Sequence, residues 1–268
     1  MTICSMTKVE THPEIRDAIR KLCGRFPGQY WRALDRERAY PKDFVNALTE
    51  AGWLSVLIPE QYGGAGLGIG AACAVLEEIH RSGANGAACH AQMYTMGTLL
   101  RHGSDAQKEK WLPKIASGEV RLQAFGVTEP TSGTDTTRIQ TFAKKVGDKY
   151  VVNGSKIWIS RAEHSDLMIL LCRTSQRDEA GKASDGMSVL LVDMREAKGK
   201  GLTIKPVRTM LNHATTELFF DNMEVPAENL IGKEGAGFKY IIDGMNAERI
   251  LIASECIGVG KFFVDRAS

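Results

Sequence analysis

None of the six cysteines (Cys4, Cys23, Cys73, Cys89, Cys172, Cys256) belongs to a Cys-x-x-Cys pair. Neither a zinc site nor a disulfide framework is therefore expected, and free thiols in a reducing compartment are. The six histidines lack ligand spacing, so His90 and His102 read as ordinary helix residues and no metal is expected. No apolar run approaches the roughly 20 residues of a membrane-spanning helix, and the opening residues lack the apolar core of a secretory signal. Neither sign of charge dominates: 34 Lys and Arg face 32 Asp and Glu, a net charge of +2. Nucleic acid, which selects a concentrated basic surface, is not an expected partner. The cations between residues 101 and 114 are interrupted by acidic and apolar side chains and read as a solvated helix face. No internal repeat or low-complexity tract occurs. What is present, 43% hydrophobic and 25% charged residues over 268 positions, is the composition of a soluble intracellular protein with one large domain or two modest ones.

Up to residue 122 the apolar pattern is helical. Ile15, Ala18, Ile19 and Leu22 recur at helix spacing, Phe44 and Leu48 share a face behind Pro41, and Ile69, Cys73, Leu76 and His80 mark a further helix. Helices are also expected from Ala91 to His102 and from Asp105 toward Pro113, and residues 59–68 form a glycine-rich connector. From residue 123 the period shortens. Gly147-Asp148 and Asn153-Gly154 each offer a tight turn, and residues 167–172 and 187–192 are short apolar runs of buried-strand length. Two further strands are expected at 202–205 and 216–220, with a polar loop at 174–186. Helical character returns at Gly235. The expected fold is α+β: an all-α domain over 1–122, a central antiparallel β-barrel or sandwich over 123–234, and the first helix of a further helical bundle over 235–268.

Two segments carry chemistry. Gly126-Val127-Thr128-Glu129-Pro130-Thr131-Ser132-Gly133-Thr134-Asp135 is crowded with hydroxyls and small residues, able to point backbone N–H groups at an electron-rich ligand. By itself it also reads as a capped Ser/Thr-rich turn. Asn153-Gly154-Ser155-Lys156-Ile157-Trp158-Ile159-Ser160 ends with a flat aromatic beside a hydroxyl. A lone strand tryptophan is more often core than ligand contact. Together the segments suggest a surface for a flat, hydrogen-bonding, phosphate-bearing cofactor.

Both segments resemble the flavin-binding motifs of the acyl-CoA dehydrogenase family. The first is similar to its Thr-Glu-Pro-x-x-Gly-Ser-Asp pattern, the second to its Asn-Gly-x-Lys-x-Trp-Ile-Thr pattern, with Ser160 in place of threonine and Arg138 where a small residue is usual. Residues 57–66, 225–232 and 235–238 extend the likeness over most of 13–268. The resemblance implies FAD as cofactor, with Phe125, Val127, Thr128, Gly133, Thr134, Trp158, Ile159 and Ser160 around it. Val127 and Thr128 would serve the pyrimidine end of the ring, and Ile159 and Ser160 its reactive edge. Thr134 would also reach substrate phosphates. Fixed donors of this kind stabilise the negative charge of a reduced flavin.

The implied reaction oxidises an acyl-CoA thioester to the trans-2-enoyl-CoA by α-proton abstraction and β-hydride transfer to flavin. A carboxylate base is needed, best placed in a dry pocket. Glu248 is the candidate, since Ile241, Met245, Glu248, Ile252 and Cys256 recur at helix spacing and a carboxylate within an apolar stripe is costly unless paired or used. Its place in Asn246-Ala247-Glu248-Arg249 matches that of the base in the isovaleryl and long-chain branches. A structural carboxylate is the alternative. Asn246 and Arg249 would line the pocket mouth on the CoA side. The resemblance further implies an electron-transfer flavoprotein as electron acceptor and a homodimer or homotetramer where the C-terminal bundle is present. The location would be cytoplasmic in a bacterium and mitochondrial or peroxisomal in a eukaryote. The sequence stops at Ser268, within the first helix of the family's C-terminal bundle, and is expected to lack most of it. A catalytically incomplete binding module, or a flavin oxidase or monooxygenase on the same fold, remains as an alternative.

Overall fold

The computed structural model describes residues 10–177 and 181–268, so Cys4 and part of the expected polar loop lie outside the described residues. Among the described residues six α-helices come first: α1 (Pro13–Cys23), α2 (Gly28–Glu37), α3 (Lys42–Glu50), α4 (Ile69–Arg81), α5 (Ala87–His102) and α6 (Asp105–Ser117). The helix spacing of their apolar residues holds, and Ile15, Ile19, Phe44, Leu48, Val75, Ile79 and Met93 meet in one core. Pro113 lies inside α6 rather than ending it, on the exposed side where the missing N–H faces water.

Strands β1 (Leu122–Gly126), β2 (Phe142–Val146), β3 (Lys149–Ser160), β4 (Leu167–Arg173) and β5 (Met187–Asp193) follow, then the short helix α7 (Met194–Ala197). The sheet is completed by β6 (Leu202–Pro206), β7 (Thr215–Pro226) and β8 (Leu230–Ile231), in the order β6-β7-β3-β2-β4-β5-β8, with β1 on β4. The α+β class stands, but the antiparallel barrel is corrected. The sheet is not closed, β1 runs parallel to β4, and β2 touches β4 only at Phe142 opposite Arg173. A parallel pair needs a long crossover, and residues 127–166, which include β2 and β3, supply it.

Strand alternation makes β4 and β5 shared walls. Met168, Leu170, Leu190 and Val192 join Tyr150, Leu218 and Met223 in a core enclosed by the sheet. Ile169, Leu171, Val189 and Leu191 face the other way, against Met96, Leu112 and Ile241 of the helices. The Gly147-Asp148 hairpin is present, with Gly147 at φ 61° and Val146 paired with Lys149. Asn153-Gly154 is not a turn. It lies within β3, at a register shift where Gly154 takes φ 141° and a Cβ would stand 2.7 Å from Cα of Thr141.

The last helix, α8 (Gly237–Ala267), packs on α4 and α5. The apolar stripe expected there is corrected. The buried positions are Gly237, Ile241, Gly244, Leu251, Ser254 and Gly258, while Ile252 and Cys256 are exposed. Small residues let the backbones close up, so the packing face falls where the side chains are short. Among the described residues no helix is long and apolar enough to cross a membrane.

Candidate functional site

The hydroxyl-rich loop and the end of β3 are fastened together by charge. Lys156 is fully buried, and its Nζ donates to Oε1 of Glu129 at 2.8 Å and to the Val127 carbonyl at 2.9 Å. Glu129 also accepts from the backbone N–H of Gln140 at 2.6 Å and of Thr141 at 2.9 Å. Burial acts to raise the Glu129 pKa, but Lys156 and these donors outweigh it and hold the carboxyl below its ordinary value. Glu129 of the first motif and Lys156 of the second are thus each other's partner. Neither was singled out from sequence, although a lysine two residues on from Gly154 in the Tyr150, Val152 alternation was the available signal.

This clamp sets the loop against an exposed tryptophan. Ile157 N–H donates to the Thr128 carbonyl at 3.0 Å, and the pairing of β3 with β7 shifts register between Lys156 and Ile159. Within that irregularity Trp158 adopts φ 62° and leaves 58% of its surface exposed. A bulky residue in the left-handed region is strained by about 1–3 kcal/mol, a cost that clusters at functional sites. Gly133 and Thr134 are exposed, and the backbone N–H groups of Thr128, Gly133 and Thr134 find no acceptor among the described residues. Bare indole, free N–H donors and hydroxyls along one loop suit a flat, anionic, hydrogen-bonding group. The Ile159 side chain is buried in the sheet core and its carbonyl accepts from the Thr216 hydroxyl at 2.7 Å, leaving little of it for a ligand.

Ser160 opens onto a cleft of about 570 Å³ between the end of β3, α2, α5, α8 and the segment before β7. Its Oγ accepts from Asn212 Nδ2 at 2.8 Å, which leaves the hydroxyl hydrogen free to donate. Glu248 enters the same cleft from α8. Tyr94 lines the same cleft, and its ring meets Phe125 edge-on at 5.3 Å, so the loop and the cleft are continuous. Burial pushes the Tyr94 hydroxyl up to about 12; Arg161 pulls against that rise and Glu248 adds to it. Asn246 and Arg249 are not part of the cleft: both are exposed, with Arg249 Nη1 donating to Asn246 Oδ1 at 2.9 Å.

At one end of the cleft Glu255 lies 3.0 Å from His90 Nδ1 and 3.5 Å from His80 Nε2. Burial acts to raise the Glu255 pKa, yet the two imidazoles overcome it and hold the carboxyl at about 2. Arg161 and the Glu255 cluster were both missed in the sequence. His90 and Glu255 sit on different helices, and only the packing of α5 on α8 unites them.

The N-terminal domain model of acyl-CoA dehydrogenases matches residues 9–119, and the middle-domain model matches residues 124–223. A glutaryl-CoA dehydrogenase of Desulfococcus multivorans is 35% identical over 262 residues, which cover 95% of this chain and 64% of that protein. Among solved structures, an acyl-CoA dehydrogenase from Geobacillus kaustophilus superposes with a TM-score of 0.83 at 30% identity, over 92% of this chain and 64% of that one. A structure described as the electron transferring flavoprotein of Acidaminococcus fermentans superposes with a TM-score of 0.82 at 30% identity, over 91% and 64%. The chain thus spans about 64% of the length of these relatives.

Proposed function

The chain belongs to the acyl-CoA dehydrogenase family, and on that premise we propose that it oxidises an acyl-CoA thioester between the α and β carbons, with Glu248 as the base. The observation that carries this reading is that Glu248 and Ser160 line one cleft beside the exposed Trp158, with no ion pair claiming the Glu248 carboxylate among the described residues. A carboxylate left unpaired in a partly dry cleft is available to take a proton.

The family is FAD-dependent, and the residues present fit that group. Trp158 would pack on its ring, Thr128, Gly133 and Thr134 would supply donors, and Ser160 would present its free hydroxyl to the reacting edge. When bound, FAD would supply the acceptor for the hydride (hydrogen with its electron pair) that leaves the β carbon. The Glu248 carboxylate takes the α proton, and Tyr94 and Phe125 form the wall that keeps water from the reacting carbons. The Glu129–Lys156 pair holds the loop in register with Trp158. An electron-transfer flavoprotein would be the electron acceptor in this reading, as the family resemblance implies. A homo-oligomeric assembly is part of the same reading.

The test uses the FAD-loaded chain. Glu248→Gln should retain the yellow chromophore but lose α-proton exchange of hexanoyl-CoA with D2O, followed by NMR. A fall on the order of 10²–10⁴-fold is expected for removal of a general base. Exchange at the parent rate would rule Glu248 out as the base.

A further inference from the structure

The same cleft contains a cation that the proposed reaction does not use. Arg161 follows Ser160 directly and adopts φ 60°, so left-handed residues flank Ser160 on both sides through Trp158 and Arg161. Its backbone N–H donates to the Ala214 carbonyl at 2.7 Å, which fixes the turn. Its side chain is largely covered, and Nε is buried without a hydrogen-bond partner. Among the described residues the guanidinium forms no ion pair and no side-chain hydrogen bond.

The other charged groups of the cleft are accounted for. Asp35 lies 2.8 Å from His213 Nε2, and Glu255 is held between His80 and His90. Glu248 lines the same cleft, and the Tyr94 hydroxyl feels its charge and that of Arg161 in opposite senses. Burial pushes the Arg161 guanidinium below its ordinary value, with Tyr94, Tyr40 and Glu255 acting against that fall. An arginine presents five N–H donors in a planar fork and stays charged, so a covered, unpaired one is costly. A hydrocarbon chain filling the cleft would desolvate it further and offer nothing in return. A carboxylate would meet it in a bidentate, charge-assisted pair.

We propose that Arg161 recognises an anionic terminus on the acyl chain, so that the cleft prefers ω-carboxyacyl thioesters over uncharged thioesters of equal length. The inference rests on the cleft being the acyl-CoA site. Arg161 is a specificity-determining residue in this scheme and takes no part in proton removal.

The experiment titrates the FAD-loaded chain calorimetrically with adipoyl-CoA and with hexanoyl-CoA, which share six acyl carbons. Adipoyl-CoA should bind at least tenfold more tightly. Arg161→Gln should collapse that ratio to about one by weakening adipoyl-CoA alone. Arg161→Lys, which keeps the charge but not the fork, should retain part of the preference and covers the case in which the glutamine variant fails to fold. Hexanoyl-CoA binding as tightly as adipoyl-CoA in the parent, or an unchanged ratio in the variants, overturns the role of Arg161 while leaving the acyl-CoA site standing. Binding of neither thioester overturns both.

Discussion

At the scale of single residues, the motif charges work on the protein as much as on any ligand. The Glu129–Lys156 pair is buried on both sides, and each partner alone would be a desolvated charge. Lys156→Met should therefore cost about 3–5 kcal/mol, mainly by leaving Glu129 unpaired rather than by losing one attraction. Urea denaturation measures the loss, and FAD binding should weaken in parallel, since the loop then loses its tie to β3. A variant as stable as the parent would show that the Gln140 and Thr141 N–H groups suffice for Glu129. Glu129 and Lys156 were visible in the sequence as letters of two motifs, but their pairing was not, because 27 residues separate them. Trp158 was legible as a flat ligand surface, while its left-handed backbone was not: nothing in the local sequence announces a register shift that arises from pairing with β7. Arg161 escaped notice for a related reason, since a cation becomes conspicuous only when its surroundings leave it without a partner.

At the scale of elements, the placement of α8 decides whether Glu248 faces the cleft at all. Gly258 brings α8 against α4 so closely that a Cβ would stand 2.3 Å from the Glu77 carbonyl oxygen, and Lys261 pairs with the Glu77 side chain one turn on. Helix propensity alone favours Gly258→Ala by up to about 1 kcal/mol. Overpacking against a backbone carbonyl, typically about 1–3 kcal/mol, runs the other way and should win. Gly258→Ala is thus expected to lower the thermal midpoint, whereas Gly260→Ala, where no atom lies within 4 Å of a built Cβ, should leave it unchanged or raise it. A stabilised Gly258→Ala would refute the close contact. The elements themselves were largely readable: long periodic helices and the β4 and β5 runs follow from spacing and apolarity. The face of α8 is not readable from apolar size, because its buried side is built from glycine, serine and a few large residues. The mixed sheet was also beyond reach, because strand direction at β1 depends on a crossover of some forty residues rather than on β1 itself.

At the scale of the whole molecule, the cleft exists only where the helical layer, the sheet and α8 meet, and one ionic cluster spans that junction. Glu255 on α8 faces His80 on α4 and His90 on α5, so a single carboxylate holds three helices around the cleft. Its folded pKa of about 2 lies below the ordinary value of 4.5. The sign follows from proton linkage: the unfolded chain binds the proton more readily, so this contribution is present above pH 4.5 and is lost as pH falls toward 2. A shift of that size corresponds to on the order of 3 kcal/mol, with the residue mostly shielded from solvent. Glu255→Gln should remove that contribution. Stability measured by urea denaturation should differ between parent and variant above pH 4.5, and the two curves should converge between pH 4.5 and 2. Because α8 also carries Glu248, hexanoyl-CoA binding should weaken in the variant at neutral pH. Parallel curves down to pH 2 would mean that Glu255 titrates normally and that packing at Leu251 and Gly258 alone keeps α8 in place.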